Sequence, residues 1–282
     1  MMNNKIALVL EGGGSRGMFT AGVLESFLVN KVKFDAVYGV SAGALYGASF
    51  VSKQSGRNLK FNEFIGDKRY GGFRHLVRYG NYFSWDFIFG DLAHEIIPYD
   101  YAAFRNSMDF YVGVSNCNTG KPEFFRTNHL DRSDYIDILK ATGALPFISP
   151  IVPYKGEEYL DGGLTASIPY DVAMQQGADK VVVVLTRPEG YVKSAMKFLR
   201  FCKWYYRKYP MVYKGLKNRA AQYNKSIQQL KVLEKEGRAF IIKPKAELAV
   251  SRVERDSKKT AAIYHEGMND GNVIMPKLEK WM

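Results

Sequence analysis

Ala36-Val37-Tyr38-Gly39-Val40-Ser41-Ala42-Gly43-Ala44 is the stretch that decides how this chain is read. Residues 36–40 form a short apolar run that predicts a buried strand, and the small-residue run 42–53 predicts a helix. Between them Gly39-Val40-Ser41-Ala42-Gly43 fits G-x-S-x-G. In a tight strand-to-helix turn the serine hydroxyl stands clear of the backbone only where its neighbours are small. The expectation is therefore serine chemistry, with Ser41 as nucleophile and Gly39 and Gly43 framing the turn.

Toward the N-terminus the same pattern occurs once before. An apolar run at 6–10 reads as a strand, Glu11-Gly12-Gly13-Gly14-Ser15-Arg16-Gly17 as a glycine loop, and 18–30 as a helix with 3.6-residue periodicity. Three consecutive glycines admit positive φ and let the backbone approach a ligand closely. The helix start offers unpaired N–H groups to a phosphate or an oxyanion. Gly12, Gly14 and Gly17 also satisfy G-x-G-x-x-G, so a dinucleotide site competes. That fold wants an acid at the end of its second strand. Here Asp35 precedes the strand, and Ser41 ends it. Strand, turn and helix repeated twice predict an α/β fold with a parallel sheet.

Farther along, 108–116 reads as a strand with a hairpin partner at 121–126, and 131–142 as a helix capped by Asp131 or Ser133. Residues 159–163 end an extended piece, and 169–176 form a helix with Pro169 in its first turn. The β-branched run 180–186 has the look of a central strand buried on both faces. Basic helices over about 193–236, a strand at 240–243 and terminal helices complete the reading. Residues 55–107 show no clear pattern. Without repeats or low-complexity linkers, residues 1–282 read as a single domain, with a motif-bearing core at about 5–190 and a basic helical part at about 191–282.

A serine hydroxyl needs a base to take its proton. The four histidines, His75, His94, His129 and His265, stand in undistinguished surroundings. Ser41, Asp161 and His265 could still compose an ordinary hydrolase triad. The stronger base is Asp161 itself, in Tyr159-Leu160-Asp161-Gly162-Gly163-Leu164. An Asp-Gly pair alone is more often a turn. Three glycine motifs in order, GGGSRG, GVSAG and DGG, favour the catalytic reading.

On these motifs the sequence resembles the patatin-like phospholipase family, which combines a glycine-rich oxyanion loop, a G-x-S-x-G nucleophile and a D-G-A/G aspartate. Agreement continues through AGVLESF (21–27), ATGALPFISPI (141–151) and SIP (167–169), so the resemblance spans about residues 5–190. It implies a three-layer α/β/α fold around a mostly parallel central sheet. It places the oxyanion role on Gly12, Gly13 and Gly14, with Arg16 and Gly17 completing the loop, the nucleophile on Ser41, and the base on Asp161 of the Asp161-Gly162-Gly163 motif. It implies a lipid acyl hydrolase of phospholipase A type, working with a Ser–Asp dyad, no histidine, no metal and no cofactor. Arg16 is expected to brace loop carbonyls rather than to meet a substrate phosphate.

The formal net charge of +12 is concentrated. Between Gly190 and Leu233 there are eleven Lys or Arg and no Asp or Glu. On a helical wheel Lys193, Lys197, Arg200, Lys203, Arg207 and Lys208 share one face, while Phe198, Leu199, Phe201, Cys202, Tyr205 and Tyr206 share the other and Trp204 falls among the cations. A basic amphipathic helix over about 193–209 implies peripheral contact with an anionic membrane. No nucleic-acid motif accompanies the charge, so no nucleic-acid partner is expected. Two cysteines, Cys117 and Cys202, point to a reducing compartment. The opening MMNNKIALVL is too short in apolar residues for a leader, and no run approaches a membrane span. The chain is thus expected in the cytoplasm, soluble or peripheral on the inner face of the membrane. A basic lipid-binding module without catalysis is the remaining rival.

Overall fold

The computed structural model describes residues 4–282; Met1, Met2 and Asn3, the start of the stretch read for a leader, lie outside the described residues. β1 (Ile6–Leu10), α1 (Gly17–Val29), β2 (Ala36–Val40) and α2 (Ala42–Val51) follow one another as the two strand-turn-helix patterns require. The stretch without a clear pattern holds α3 (Arg57–Asn62), α4 (Phe73–Tyr79), a π-helical segment at Phe87–Ile96 and α5 (Tyr101–Arg105). Next come β3 (Asp109–Asn116), β4 (Pro122–Arg126), α6 (Arg132–Gly143), β5 (Val152–Tyr154), β6 (Glu157–Asp161), α7 (Tyr170–Gln175) and β7 (Lys180–Val184). The chain closes with α8 (Leu199–Tyr205), α9 (Pro210–Lys235), β8 (Ala239–Ile242) and α10 (Ser257–Trp281).

The described strands form one sheet in the order β5-β6-β3-β2-β1-β7-β8, with β4 also on β3. From β3 to β8 neighbours run parallel, whereas β4, β5 and β6 pair antiparallel. Side chains alternate across a strand, and that alternation builds two cores. Ile6, Leu8, Leu10, Val182 and Val184 face one, with residues of α1, α2, α6 and α10. Ala7, Val9, Val181 and Val183 face the other, with residues of α7 and α9. Helices thus cover both faces of the sheet, and each Val or Leu so enclosed contributes about 1.5–3 kcal/mol of burial. β7 lies between β1 and β8, where its unbroken valine run belongs.

α10 crosses α1 at very short range. A Cβ on Gly22 would stand 1.9 Å from the Tyr264 carbonyl oxygen, and one on Gly267 would stand 2.1 Å from that of Phe19. Only glycine permits this approach, so the C-terminal helix is part of the main core.

Three details differ from the sequence reading. Asp131 precedes α6 without a side-chain capping bond. The terminal helices are a single 25-residue helix that contains Pro276. The continuous amphipathic helix over 193–209 does not form. Residues 191–198 are irregular, α8 has seven residues, and a turn separates it from α9. The cause is local. Lys193 N–H donates to Asn224 Oδ1 at 2.8 Å, and Asn224 Nδ2 donates back to the Lys193 carbonyl at 3.0 Å. The segment is thereby drawn onto α9, and Phe198 turns into α8 with a left-handed φ of 62°.

Candidate active site

β3 acts as the ruler that brings the site together. Its residues 109–113 pair with β2, ending at Val40 opposite Gly113. Its residues 114–116 pair with β6, beginning at Asp161 opposite Val114. β6 takes over where β2 stops, so the residue after Val40 and the last residue of β6 meet although 120 positions separate them. Ser41 Oγ donates to Asp161 Oδ2 at 2.5 Å. Both residues are buried, Ser41 at 6% and Asp161 at 1% exposure, so the pair reaches solvent only through the cavities that open on it.

The backbone at Ser41 is strained, with φ 52° and ψ −131°. A non-glycine residue persists in such a region only when its surroundings over-determine it. Here Gly39 and Gly43 supply the room. A Cβ on Gly43 would stand 2.6 Å from the Leu10 carbonyl oxygen, and one on Gly39 would stand 2.8 Å from Ala44 Cα. Thr142, within the 141–151 stretch but without an assigned role in the sequence reading, fixes the turn from α6. Its Oγ1 accepts from the Ser41 N–H at 2.8 Å and donates to the Gly113 carbonyl at 2.6 Å.

Asp161 is oriented by the motif that follows it. Its Oδ1 accepts from the Gly163 N–H at 2.8 Å, its own N–H donates to the Ala144 carbonyl, and Ser115 Oγ donates to its carbonyl. A Cβ on Gly162 would lie 2.2 Å from the Gly113 carbonyl oxygen, which keeps that position bare. Arg219 of α9 donates from Nε to the Gly163 carbonyl at 2.7 Å and locks the loop from the other side.

The glycine loop passes beside Ser41, with the Gly12 Cα side facing Ser41 Cβ. Gly12 does not match the donor role placed on it, because its N–H is already given to the Ser167 carbonyl at 3.2 Å. Among the described residues, the Gly13 and Gly14 N–H groups donate to no backbone carbonyl outside the helices and strands. The bracing expected of Arg16 is also absent. Its guanidinium makes no hydrogen bond among the described residues, and its Nε is buried without a partner. The loop is held instead by the segment before α10. Ser15 N–H donates to the Arg252 carbonyl at 3.0 Å, and Glu254 N–H donates to Ser15 Oγ at 2.8 Å. Gly17 opens α1 against Ala42 and Tyr46. Glu11 joins β1 to β7 by accepting from the Thr186 N–H at 2.6 Å, and burial pushes its carboxyl above the usual range.

Two cavities meet at Ser41, Gly14 and Arg252. One, of about 180 Å³, is lined largely by apolar side chains, including Met18, Leu45, Phe61, Trp85 and Leu139. The other, of about 280 Å³, is lined by the glycine loop and Asp161 and by Arg16, Arg187, Lys193, Arg219 and Arg252. The sequence reading assigned Lys193 to a membrane face and gave Arg187, Arg219 and Arg252 no place in the site. Nothing in a linear pattern joins positions so far apart.

No histidine lines either cavity. His265 is exposed on α10 beside the Tyr264 ring, His75 donates from Nδ1 to the Asn81 carbonyl, His94 meets Arg132, and His129 faces Asp109. The Ser41–Asp161–His265 triad is not assembled. The dinucleotide reading fails as well, since Asp35 is engaged at the far end of β2 by the Ile6 N–H at 2.7 Å. Among the described residues no group of His, Cys, Asp and Glu could hold a metal.

The family model described as patatin-like phospholipase matches residues 8–174, and one described as a domain of unknown function, DUF6363, matches residues 209–282. The uncharacterized protein YjjU of Escherichia coli K12 is 32% identical over 206 residues, which cover 71% of this chain and 57% of that protein. Lysophospholipase nte1 of Aspergillus terreus is 24% identical over 215 residues, covering 70% of this chain and 13% of the relative. The crystal structure of VipD from Legionella pneumophila aligns over 97% of this chain and 67% of its own, with 11% identity and a TM-score of 0.48. This chain therefore spans little more than half of the bacterial relative and a small part of the fungal one. With residues 8–174 of 282 matched by one model, the chain belongs to the patatin-like phospholipase family.

Proposed function

We propose that the chain hydrolyses acyl esters of lipids, with phospholipids as the substrate class, through a Ser41–Asp161 dyad. The observation that carries this reading is the direct hydrogen bond from Ser41 Oγ to Asp161 Oδ2 in a turn shaped for a nucleophile. As Ser41 Oγ attacks the ester carbonyl carbon, its proton passes to Asp161. General base assistance of this kind contributes about 10²–10⁴-fold. The negative oxygen of the tetrahedral intermediate falls to the Gly13 and Gly14 N–H groups, and a donor in that position contributes on the order of 10²–10³ in rate. Collapse expels the alcohol, which takes the proton from Asp161. Water then gives a proton to Asp161 and attacks the acyl-enzyme, releasing the fatty acid and restoring Ser41. The apolar cavity accommodates the acyl chain.

Residues 1–282 act as one unit in this reading, because residues 251–254 hold the glycine loop and α9 walls the second cavity. In this reading contact with a membrane is peripheral; separately, no described helix is long and apolar enough to cross one. The docking surface is the exposed aromatic and basic knuckle of Phe198, Phe201, Trp204 and Tyr205 with Lys197, Arg200, Lys203 and Arg207, rather than a long amphipathic helix. Such a mixture suits an anionic lipid surface. Labelling with a fluorophosphonate tests the chemistry. Wild type is expected to be modified at Ser41 and to lose ester turnover, and Ser41→Ala is expected to be folded, unlabelled and inactive. A labelled or fully active Ser41→Ala protein would refute the assignment.

A further inference from the structure

The second cavity has a charge problem that the hydrolytic step does not use. Five cations, Arg16, Arg187, Lys193, Arg219 and Arg252, share a recess with two carboxylates, Glu11 and Asp161. Both carboxylates have donors already: Thr186 N–H on Glu11, and Ser41 with Gly163 on Asp161. Arg187 pairs with Glu247 and lies over the Tyr191 ring at 4.3 Å. Among the described residues the other four have no carboxylate within ion-pair distance.

Cations outnumber carboxylates in the recess, and burial together with mutual repulsion disfavours their charged forms. Lys193, with its ammonium 4.1 Å from the Tyr223 ring centroid, is held down to about 7, first by burial and then by Arg219. Arg252 is exposed to solvent at the junction of the cavities, and its charged form is disfavoured by the crowding of protein around it and then by the nearby Arg219. Arg16 is lowered by burial and by Arg187, and its Nε has no acceptor. A tetrahedral oxyanion would supply what is missing. It offers several acceptor oxygens to the arginine forks and to the ammonium at once.

We propose that Lys193, Arg219 and Arg252, with Arg16, form a phosphate-binding pocket beside Ser41 that holds the headgroup phosphate of the acyl ester substrate. Three of these residues lie beyond the stretch matched by the patatin-like model, so the pocket is supplied by the C-terminal part of the chain. The inference rests on the hydrolase reading for its substrate, while the site itself follows from the cluster of unpaired cations. The two cavities then divide one molecule between them: acyl chain on one side of Ser41, phosphate on the other, ester carbonyl at the junction. The same chemistry would also take free phosphate, and the test separates the two sources.

Full-length Ser41→Ala protein is titrated calorimetrically with inorganic phosphate and with a short-chain 1-acylglycerol 3-phosphate below its micellar concentration. Both are expected to bind one shared site. Lys193→Met and Arg252→Gln are each expected to weaken binding about tenfold, and Arg252→Lys to retain most of it. Failure of both ligands to bind, or binding indifferent to both variants, would overturn the pocket. In active protein, kcat/KM for the phosphate-bearing ester is expected to exceed that for the matching 1-acylglycerol by about 10–100-fold, with inorganic phosphate competing against the former. Equal kcat/KM values, or stimulation of the neutral ester by phosphate without competition, would overturn the headgroup assignment in favour of a free anion. If no ester is turned over while Ser41→Ala still binds phosphate through Lys193 and Arg252, the hydrolase reading falls and the anion pocket stands.

Discussion

Thr142 serves two strands with one hydroxyl, taking the Ser41 N–H and giving its proton to the Gly113 carbonyl in a fully buried setting. Thr142→Val keeps the volume and removes both bonds. A buried donor or acceptor left unpaired costs about 1–3 kcal/mol. The variant is expected to lose at least that much stability in urea titration, and ester turnover on the order of 10–100-fold as the turn loosens. Thr142→Ser should restore both, and an unperturbed Thr142→Val would contradict this role. The same scale shows what the sequence could yield. Ser41, Asp161 and the glycines beside them announce themselves because their chemistry needs small neighbours that are contiguous in the chain. Thr142, Lys193, Arg219 and Arg252 have ordinary neighbours, and only folding gives them their partners. Lys193 makes this measurable. It faces Glu11, Arg187, Arg219, Arg252 and Tyr223, and with a value near 7 it is charged below neutrality and uncharged above. Anion affinity is therefore expected to fall as pH rises. Sulfate, whose own charge is constant in this range, should bind Ser41→Ala protein about tenfold more weakly at pH 8 than at pH 6. In Lys193→Met that slope should vanish, and an equal slope in both proteins would place the titrating group elsewhere.

β3 shows how an element, rather than a residue, sets the Ser41–Asp161 pair. Because β2 and β6 pair with successive segments of one strand, the Ser41–Asp161 distance is fixed by backbone registers on either side of Gly113 and Val114. The strands from 6 to 40 and from 180 to 184 were legible because they are short, apolar and bounded by glycine or polar turns. The antiparallel arrangement of β5 and β6 was not, since pairing direction depends on tertiary closure. Periodicity misled most around α8. The wheel assumed helix from 193, whereas hydrogen bonds between Lys193 and Asn224 and the turn at Phe198 divide that stretch. The division alters the proposed docking surface without removing it, because Lys197, Arg200, Lys203 and Arg207 are all exposed next to exposed aromatics. Each cation near an anionic surface contributes about 1 kcal/mol. Reversing these four to Glu should weaken binding to phosphatidylserine-containing vesicles by at least about 100-fold at low salt, and salt should weaken wild-type binding similarly. Equal vesicle binding by wild type and variant would contradict docking through this knuckle.

At the scale of the whole molecule, the matched N-terminal segment holds the Ser41–Asp161 pair and the C-terminal part walls the cavities around it. α10 lies against α1, residues 251–254 secure the glycine loop, and α9 supplies Arg219. The excess of positive charge over residues 190–233 thus divides between an outer face and the recess beside Ser41, a division that net charge alone does not reveal. What would unite these parts under the proposed mechanism is a serine activated by a carboxylate directly, with every histidine elsewhere. The most direct measurement is kcat/KM on a soluble short-chain aryl ester for Asp161→Asn beside His75→Gln, His94→Gln, His129→Gln and His265→Gln, each checked for folding by circular dichroism. Asp161→Asn is expected to lose about 10³–10⁴-fold or more, and each histidine variant to stay within about threefold of wild type. A folded His265→Gln protein that loses as much activity as Asp161→Asn, or an Asp161→Asn protein that keeps wild-type turnover, would contradict the dyad.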